Sequence, residues 1–481
     1  MKIHNHHYFF HDPMTTTPSR TLKFDDGSIQ FRQRLIVSIL SSRPLLLRNI
    51  RSEDIDSPGL QEHEASFLRL LDRMTNGSRI EINATGTQLR FKPGILLGGN
   101  IEHDCPVNTT SSGDTTSEGS NCSRGVGWYL EGILPLAPFG KAPLQLTLHG
   151  ITNGYTTNLD PSPDYLQSSF IPLFIKLGVG GSASSSSNDN SSKDSIPPLI
   201  KVLKRGAAPL GGGTVTFYCP IIYNKELTPL DLLSFGKVKR IRGVAVSCRI
   251  PPSSAARVAH STKGVLHRLL PDVWIHTDVH NNSGSSGGGR KRKTVGASNE
   301  TIGNSGGGGC GPSPGLGIVL TATTTSGVCL SAECSMEHHQ QGSNSSNSNN
   351  NTASTSMVVD RHKMELPEEL GQRSAIAILN EIQAGGCVDT YVQSFILLMM
   401  CLTPEDVSRV RLGELSPYTI VSLRLYKLAF GVEFKLRIDD TNDDNNDEDD
   451  NDSDRNVDNN SKTVICSCLG IGYRNMARAS T

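Results

Sequence analysis

The chain has 481 residues, 36% of them hydrophobic and 19% charged, and a formal net charge of −1. Its most apolar run, residues 395–402, is far shorter than the ~20 residues a membrane span needs. Its eleven cysteines lack the spacing of a secreted disulfide scaffold, so both classes are excluded in favour of free thiols in a reducing compartment.

Ten of the acids crowd into residues 439–454, so the remainder carries a modest basic surplus, compatible with an RNA or ribonucleoprotein partner. Residues 1–20 predict a disordered tail without the apolar core of a secretory signal, its histidines (His4, His6, His7, His11) solvated. Asp26-Gly27-Ser28-Ile29-Gln30-Phe31-Arg32-Gln33-Arg34-Leu35 then leads from a strand towards a helix. Taken as extended chain, it sends Arg32 and Arg34 to one face. Pro58-Gly59 precedes a helix with Leu60, Phe67, Leu68, Leu71 and Met74 on one face and Asn76-Gly77 as its stop, and residues 81–89 follow as a strand.

Lys204-Arg205-Gly206-Ala207-Ala208-Pro209-Leu210-Gly211-Gly212-Gly213 runs into a strand at 214–218. Three glycines permit positive φ and the close approach of another chain or a phosphate; they suit a plain β-turn equally well. Residues 241–248 alternate as a strand, 255–270 form a helix and 273–276 a further strand. Another helix begins at Pro367, with Leu370, Ile378, Leu379 and Ile382 as apolar positions and Gly385-Gly386 as its stop. Helices and strands interleaved in this way predict a layered α/β fold.

Residues 178–193, 281–311, 340–356 and 439–462 are built mainly of Ser, Asn, Gly or Asp and bury too little to offset ordering entropy, so they predict disordered loops. One carries Arg290-Lys291-Arg292-Lys293, which suits nuclear import or RNA contact, or simply keeps a long loop soluble. Cys329, Cys334, His338 and His339 come nearest to a zinc set. The cysteines sit in a strand-like segment and the histidines open a polar tract, so no metal is expected.

The order K-R-G-x-x-P-x-G-G-G-x-V at residues 204–215 resembles a signature of the RNA 3′-terminal phosphate cyclase superfamily. Several blocks line up with it: residues 26–35, Ile50-Arg51, Ser57-Pro58-Gly59-Leu60-Gln61-Glu62-His63-Glu64, Pro93-Gly94-Ile95-Leu96-Leu97-Gly98-Gly99, His149-Gly150-Ile151-Thr152-Asn153, Glu405-Asp406-Val407-Ser408-Arg409 and Gly470-Ile471-Gly472-Tyr473-Arg474-Asn475. Together they are similar to the cyclase-like, non-cyclising branch that works in ribosome biogenesis, across residues 22–478 apart from the insertions. Two departures separate the chain from true cyclases. Those resemble D-G-S-x-x-E-G-G-G-Q-x-x-R in the first block, whereas the residues after Ser28 here are Ile29-Gln30-Phe31-Arg32-Gln33-Arg34, with no acid and no glycine run to approach phosphates, and bulky Ile29 and Phe31 instead. Tyr418 occupies the position of the nucleophilic histidine, counting back from Gly431-Val432-Glu433-Phe434. A phenol with a pKa near 10 does not replace an imidazole at neutral pH.

The resemblance implies a large domain of repeated units, each with two helices on a four-stranded sheet, interrupted by a smaller α/β insert. That places the insert at 238–337 and the large domain at 21–237 and 357–481. It further implies a nucleolar assembly factor of the small ribosomal subunit that binds the GTPase of the small-subunit processome, supports release of 18S rRNA and needs no cofactor. Arg32, Arg34, Arg51, Lys204, Arg205, Arg240 and Arg242, with Gly211, Gly212 and Gly213, are candidates to line an anion-binding cleft for RNA or an acidic partner loop. Ion pairing with Glu53, Asp54, Glu62 or Glu64 is the alternative for some of them. Arg424 and Lys427 are the candidates for a competing endoribonuclease reading, which lacks an acid because residue 425 is leucine. A residual cyclase is the third reading.

Overall fold

The computed structural model describes residues 21–107, 123–153, 160–180, 196–222, 226–280, 309–336, 365–439 and 463–475. The four-residue basic run Arg290, Lys291, Arg292 and Lys293, the tail histidines, and His338 and His339 lie outside them, as do nearly all of the low-complexity segments.

Short apolar strands alternate with helices to build the same unit three times. The first contains β1 (Leu22–Phe24), α1 (Phe31–Ser41), β2 (Leu45–Leu47), α2 (Glu62–Met74), the small β3 (Thr75–Asn76), β4 (Arg79–Ile82), β5 (Leu89–Lys92) and β6 (Ile95–Leu96), which pairs with β3. The second contains β7 (Gly99–Asp104), α3 (Val126–Ile133), β8 (Leu144–Gly150), α4 (Pro163–Lys176), β9 (Leu199–Lys204) and β10 (Gly213–Cys219). The third opens with β11 (Asp231–Leu232). An inserted unit follows, made of β12 (Val238–Cys248), α5 (Pro252–Leu266), β13 (Val273–His280), β14 (Gly315–Thr324), β15 (Cys329–Ser335) and α6 (Pro367–Gln383). The third unit then resumes with α7 (Gln393–Leu402), β16 (Val407–Leu412), α8 (Pro417–Phe430), β17 (Lys435–Ile438) and β18 (Val464–Leu469).

The sheets are β1-β2-β5-β4, β7-β8-β10-β9 and β11-β16-β18-β17, each in the order first, second, fourth, third. In each, the first two strands are parallel and the rest antiparallel. A parallel pair needs a crossover, supplied by α1, α3 and α7; an antiparallel pair needs only a hairpin. This repetition has no counterpart in the letters of the sequence. The three units share one apolar core, in which α7 is buried on every side, which is why residues 395–402 carry no polar face.

The predicted strand at 81–89 is a correction: it is a hairpin. Asn83 turns the chain, its side chain accepting from the Gln88 N–H at 2.9 Å, and Gly86 takes φ 69°. The predicted helices at 60–74 and 255–270 are α2 and α5 with shifted ends, α2 beginning in a capping box between Gln61 and Glu64. The insert's sheet, β13-β12-β14-β15, has a different order and its own core. α6 begins beyond residue 337, yet Leu370, Ala375 and Ile378 bury against α5 and this sheet. Among the described residues no helix is long and apolar enough to cross a membrane.

Candidate functional site

The three units meet at the start of α1. Phe31 opens a helix there, so Arg32 and Arg34 lie about 200° apart rather than on one face. Arg32 reaches the second unit: Nη2 donates to Glu131 Oε2 at 2.6 Å, Nη1 donates to the Trp128 carbonyl, and the guanidinium lies 4.6 Å from the Trp128 ring centroid. Burial is the largest influence and would discharge Arg32, but Glu131, with Tyr418, Tyr391 and Asp160 behind it, outweighs it and holds the pKa above its ordinary value. Arg34 turns the other way, to the Asp26 carboxylate at 2.8 Å and over the Phe24 ring at 4.1 Å. There burial wins and lowers its pKa.

The third unit supplies two tyrosines. Tyr391, just before α7, donates to Glu131 Oε2 at 2.8 Å. Tyr418 stands in the first turn of α8, which Ser416 caps by accepting from the Thr419 N–H at 3.1 Å, with Pro417 next. Gln30 ties this turn to the first unit by donating to Ser422 Oγ at 2.8 Å. Tyr418 is 38% exposed, but its hydroxyl end lies among Arg32, Glu131, Tyr391 and Tyr426. Burial first, and then the Glu131 carboxylate, push its pKa well above the usual phenol value. It is therefore a protonated phenol that accepts from Arg32 in this site, and a poorer nucleophile than an ordinary tyrosine.

Arg51 pairs with Glu64 and donates Nε to the Gly59 carbonyl at 2.9 Å, so one of the ion pairs left open by the sequence forms. Arg205 is buried between Asp164 of the second unit and Asp278 of β13, the latter at 2.9 Å. Burial opposes its charge and the two carboxylates outweigh it, raising its pKa. Asp278 falls to about 2: its burial is overcome by His280 and Arg205. Arg242 pairs with Asp272 at 2.8 Å, while Arg240 is exposed. The structure thus places Arg32, Arg34, Arg51 and Arg205 in ion pairs, Arg205 with two carboxylates and each of the others with one.

Gly211 and Gly212 take φ 60° and 76°. What approaches them is the chain itself: a Cβ at Gly211 would stand 2.8 Å from the Gly150 carbonyl carbon, one at Gly212 3.2 Å from Pro312, and one at Gly213 against Thr152. The turn is filled by residues 150–152 and 311–312. Ile29 is 50% exposed, and Phe31 is buried.

Arg424 lies on the solvent side of α8, and Lys427 pairs with Glu433 at 3.1 Å on the surface. Leu425 is in the core, so the missing acid would have no access to an RNA backbone there. Cys329 and Cys334 are five apart on β15 and so face opposite sides. Among the described residues no three His, Cys, Asp or Glu side chains are placed to hold a metal.

Trp128, Glu131 and Tyr391 were not foreseen. The signal was present only for Glu131, the single acid in the apolar helix VGWYLEGI. A cavity of about 360 Å³ opens beside this cluster, between the second unit and the insert, lined by Tyr165, Glu333, Arg373, Glu381 and Tyr391 among others. Asp389 spans the same seam: it accepts from Tyr165 Oη at 2.6 Å and from the Ser331 N–H at 3.2 Å.

Residues 24–436 match the family model described as RNA 3′-terminal phosphate cyclase. The chain is 40% identical to a probable RNA 3′-terminal phosphate cyclase-like protein of Dictyostelium discoideum, over 95% of this chain and 100% of that protein. It is 39% identical to the RNA 3′-terminal phosphate cyclase-like protein of Homo sapiens, over 93% and 95%. To an rRNA processing protein of Schizosaccharomyces pombe it is 33% identical, over 95% and 98%.

Proposed function

This chain belongs to the RNA 3′-terminal phosphate cyclase family, and from that premise we propose that it acts in ribosomal RNA processing as an assembly factor without cyclase chemistry. One observation carries the second half. The position of the cyclase nucleophile holds Tyr418, whose hydroxyl is hydrogen-bonded to Arg32 and kept protonated by its surroundings and by Glu131. The processing role is supported by the relative in S. pombe that is named for it. In finer terms, the protein works in the nucleolus on the small subunit, enters pre-ribosomes with the GTPase of the small-subunit processome, and supports the cleavages that release 18S rRNA.

The old nucleotide cleft serves as a docking surface. Arg32 and Arg205 link its units, and contact is made by the open side chains beside it, Ile29, Tyr418, Ile420 and Arg424. Incubated with labelled ATP, the purified protein acquires no covalent AMP, and cells depleted of it accumulate 18S precursors that the Tyr418→Phe chain clears. An AMP adduct on Tyr418, or failure of Tyr418→Phe to rescue, overturns the reading.

A further inference from the structure

We propose that the insert carries a binding strip for single-stranded RNA on its sheet, at the free edge formed by β13. The chain has two tryptophans; Trp128 is buried at the unit junction, and Trp274 on β13 is 56% exposed. Among the described residues β13 pairs only with β12, and its alternation buries Val273 and Ile275 against α5 while turning Trp274 and His276 to the opposite face. There the two rings stack, centroids 5.8 Å apart and planes 24° from parallel. Across the ladder, Arg242 stands opposite Trp274 and Val244 opposite His276. Farther along the same face, β14 and β15 are covered by the second unit, since Val319 joins the main core and Glu333 accepts from the Ser162 N–H at 3.1 Å. Among the described residues the β13 end of that face remains open.

Charge selects the occupant. Lys239, Arg240 and Arg242 stand on β12, with Lys237 just before it, and Asp272, just before β13, is the acid beside them. Arg242 bonds that acid directly, and Arg240 and Lys239, both exposed, act on it as well, so three cations on β12 share one carboxylate. A flat aromatic pair beside a cationic surplus recognises unpaired bases strung on phosphates: the rings stack on bases of any sequence and the cations follow the backbone. An acidic peptide would use the charges but not the open faces of two stacked rings. A duplex would keep its bases inside.

The assignment to RNA rests on the processing role proposed above; the strip itself rests on geometry and charge. The test uses the full chain and a labelled oligouridylate of about 12 nucleotides. Binding quenches tryptophan fluorescence. Trp274→Ala weakens binding about tenfold. Trp274→Phe, which keeps a stacking ring, binds within about threefold but loses the quench. Arg240→Gln lowers the slope of log affinity against log salt by about 0.7. Unchanged binding by Trp274→Ala, a quench that survives in Trp274→Phe, or equal affinity for a duplex of the same length overturns the strip. Capture of an acidic peptide without any binding of the oligomer does so too. If the oligomer binds through Trp274 while depletion leaves rRNA intact, the processing role fails and the strip stands.

Discussion

Arg32 keeps 8% of its surface exposed and spends its guanidinium on Glu131, the Trp128 carbonyl and the Trp128 ring. Glu131 in turn accepts from Tyr391, so one carboxylate holds side chains from the first and third units. Removing one member of a buried pair strands the other charge, which costs more than the pair contributes. Glu131→Ala is expected to lower stability by about 3–5 kcal/mol in denaturant titrations. Arg424→Ala, on the open side of α8, shifts it by no more than about 0.5 kcal/mol. Tyr418 was legible because its distance to Gly431-Val432-Glu433-Phe434 is local. Trp128, Glu131 and Tyr391 are brought to it across 27 to 290 residues, and no periodicity encodes such a meeting.

At the scale of elements, what the sequence shows best is what local rules dictate. Ser162-Pro163 and Ser416-Pro417 cap and open the second helices of the second and third units, and the Pro367 helix runs to Gln383 as its apolar spacing predicts. Residues 81–89 misled because a short hairpin with one apolar face offers the same letters as a single strand. Glycines show how closely elements approach. A Cβ at Gly371 of α6 would stand 2.7 Å from the Val258 carbonyl oxygen and 2.9 Å from Ser261 Cβ, so the two insert helices cross at that residue. Gly264 of α5 has nothing within 4 Å of its Cβ position. Gly371→Ala is therefore expected to destabilise by about 1–3 kcal/mol. Gly264→Ala should stabilise by up to about 1 kcal/mol through helix propensity alone. Thermal melts of the two variants in parallel check the pair; a common direction would show that helix contact is not the cause.

At the scale of the molecule, the insert is joined to the rest through buried acids. Glu333 on β15 meets the Ser162 N–H, and Asp389 bonds Tyr165 and the Ser331 N–H. Burial pushes Glu333 from 4.5 up to about 7 and Asp389 up to about 6. A carboxyl whose folded pKa exceeds its unfolded one binds more protons when folded between those values, so stability falls as pH rises through that window. For Glu333 the loss runs from about 4.5 to about 7 and persists above it. Glu333→Gln should raise stability by about 1–3 kcal/mol at pH 8, have little effect at pH 4.5, and flatten the profile between. Melts across that range measure it; an equal effect at both ends would refute the assignment.

By itself, the sequence determined the layered α/β class, the helix that follows Pro58-Gly59 and the helix that starts at Pro367, because each depends on residues close together in the chain. Only the tertiary structure decided that the same strand order is built three times, that α6 lies with the insert, and that Arg32, Arg34, Arg51 and Arg205 are each matched to a carboxylate. The reason is physical. Spacing fixes which way a side chain leaves its own element, whereas burial, pairing and pKa depend on which other element arrives opposite it.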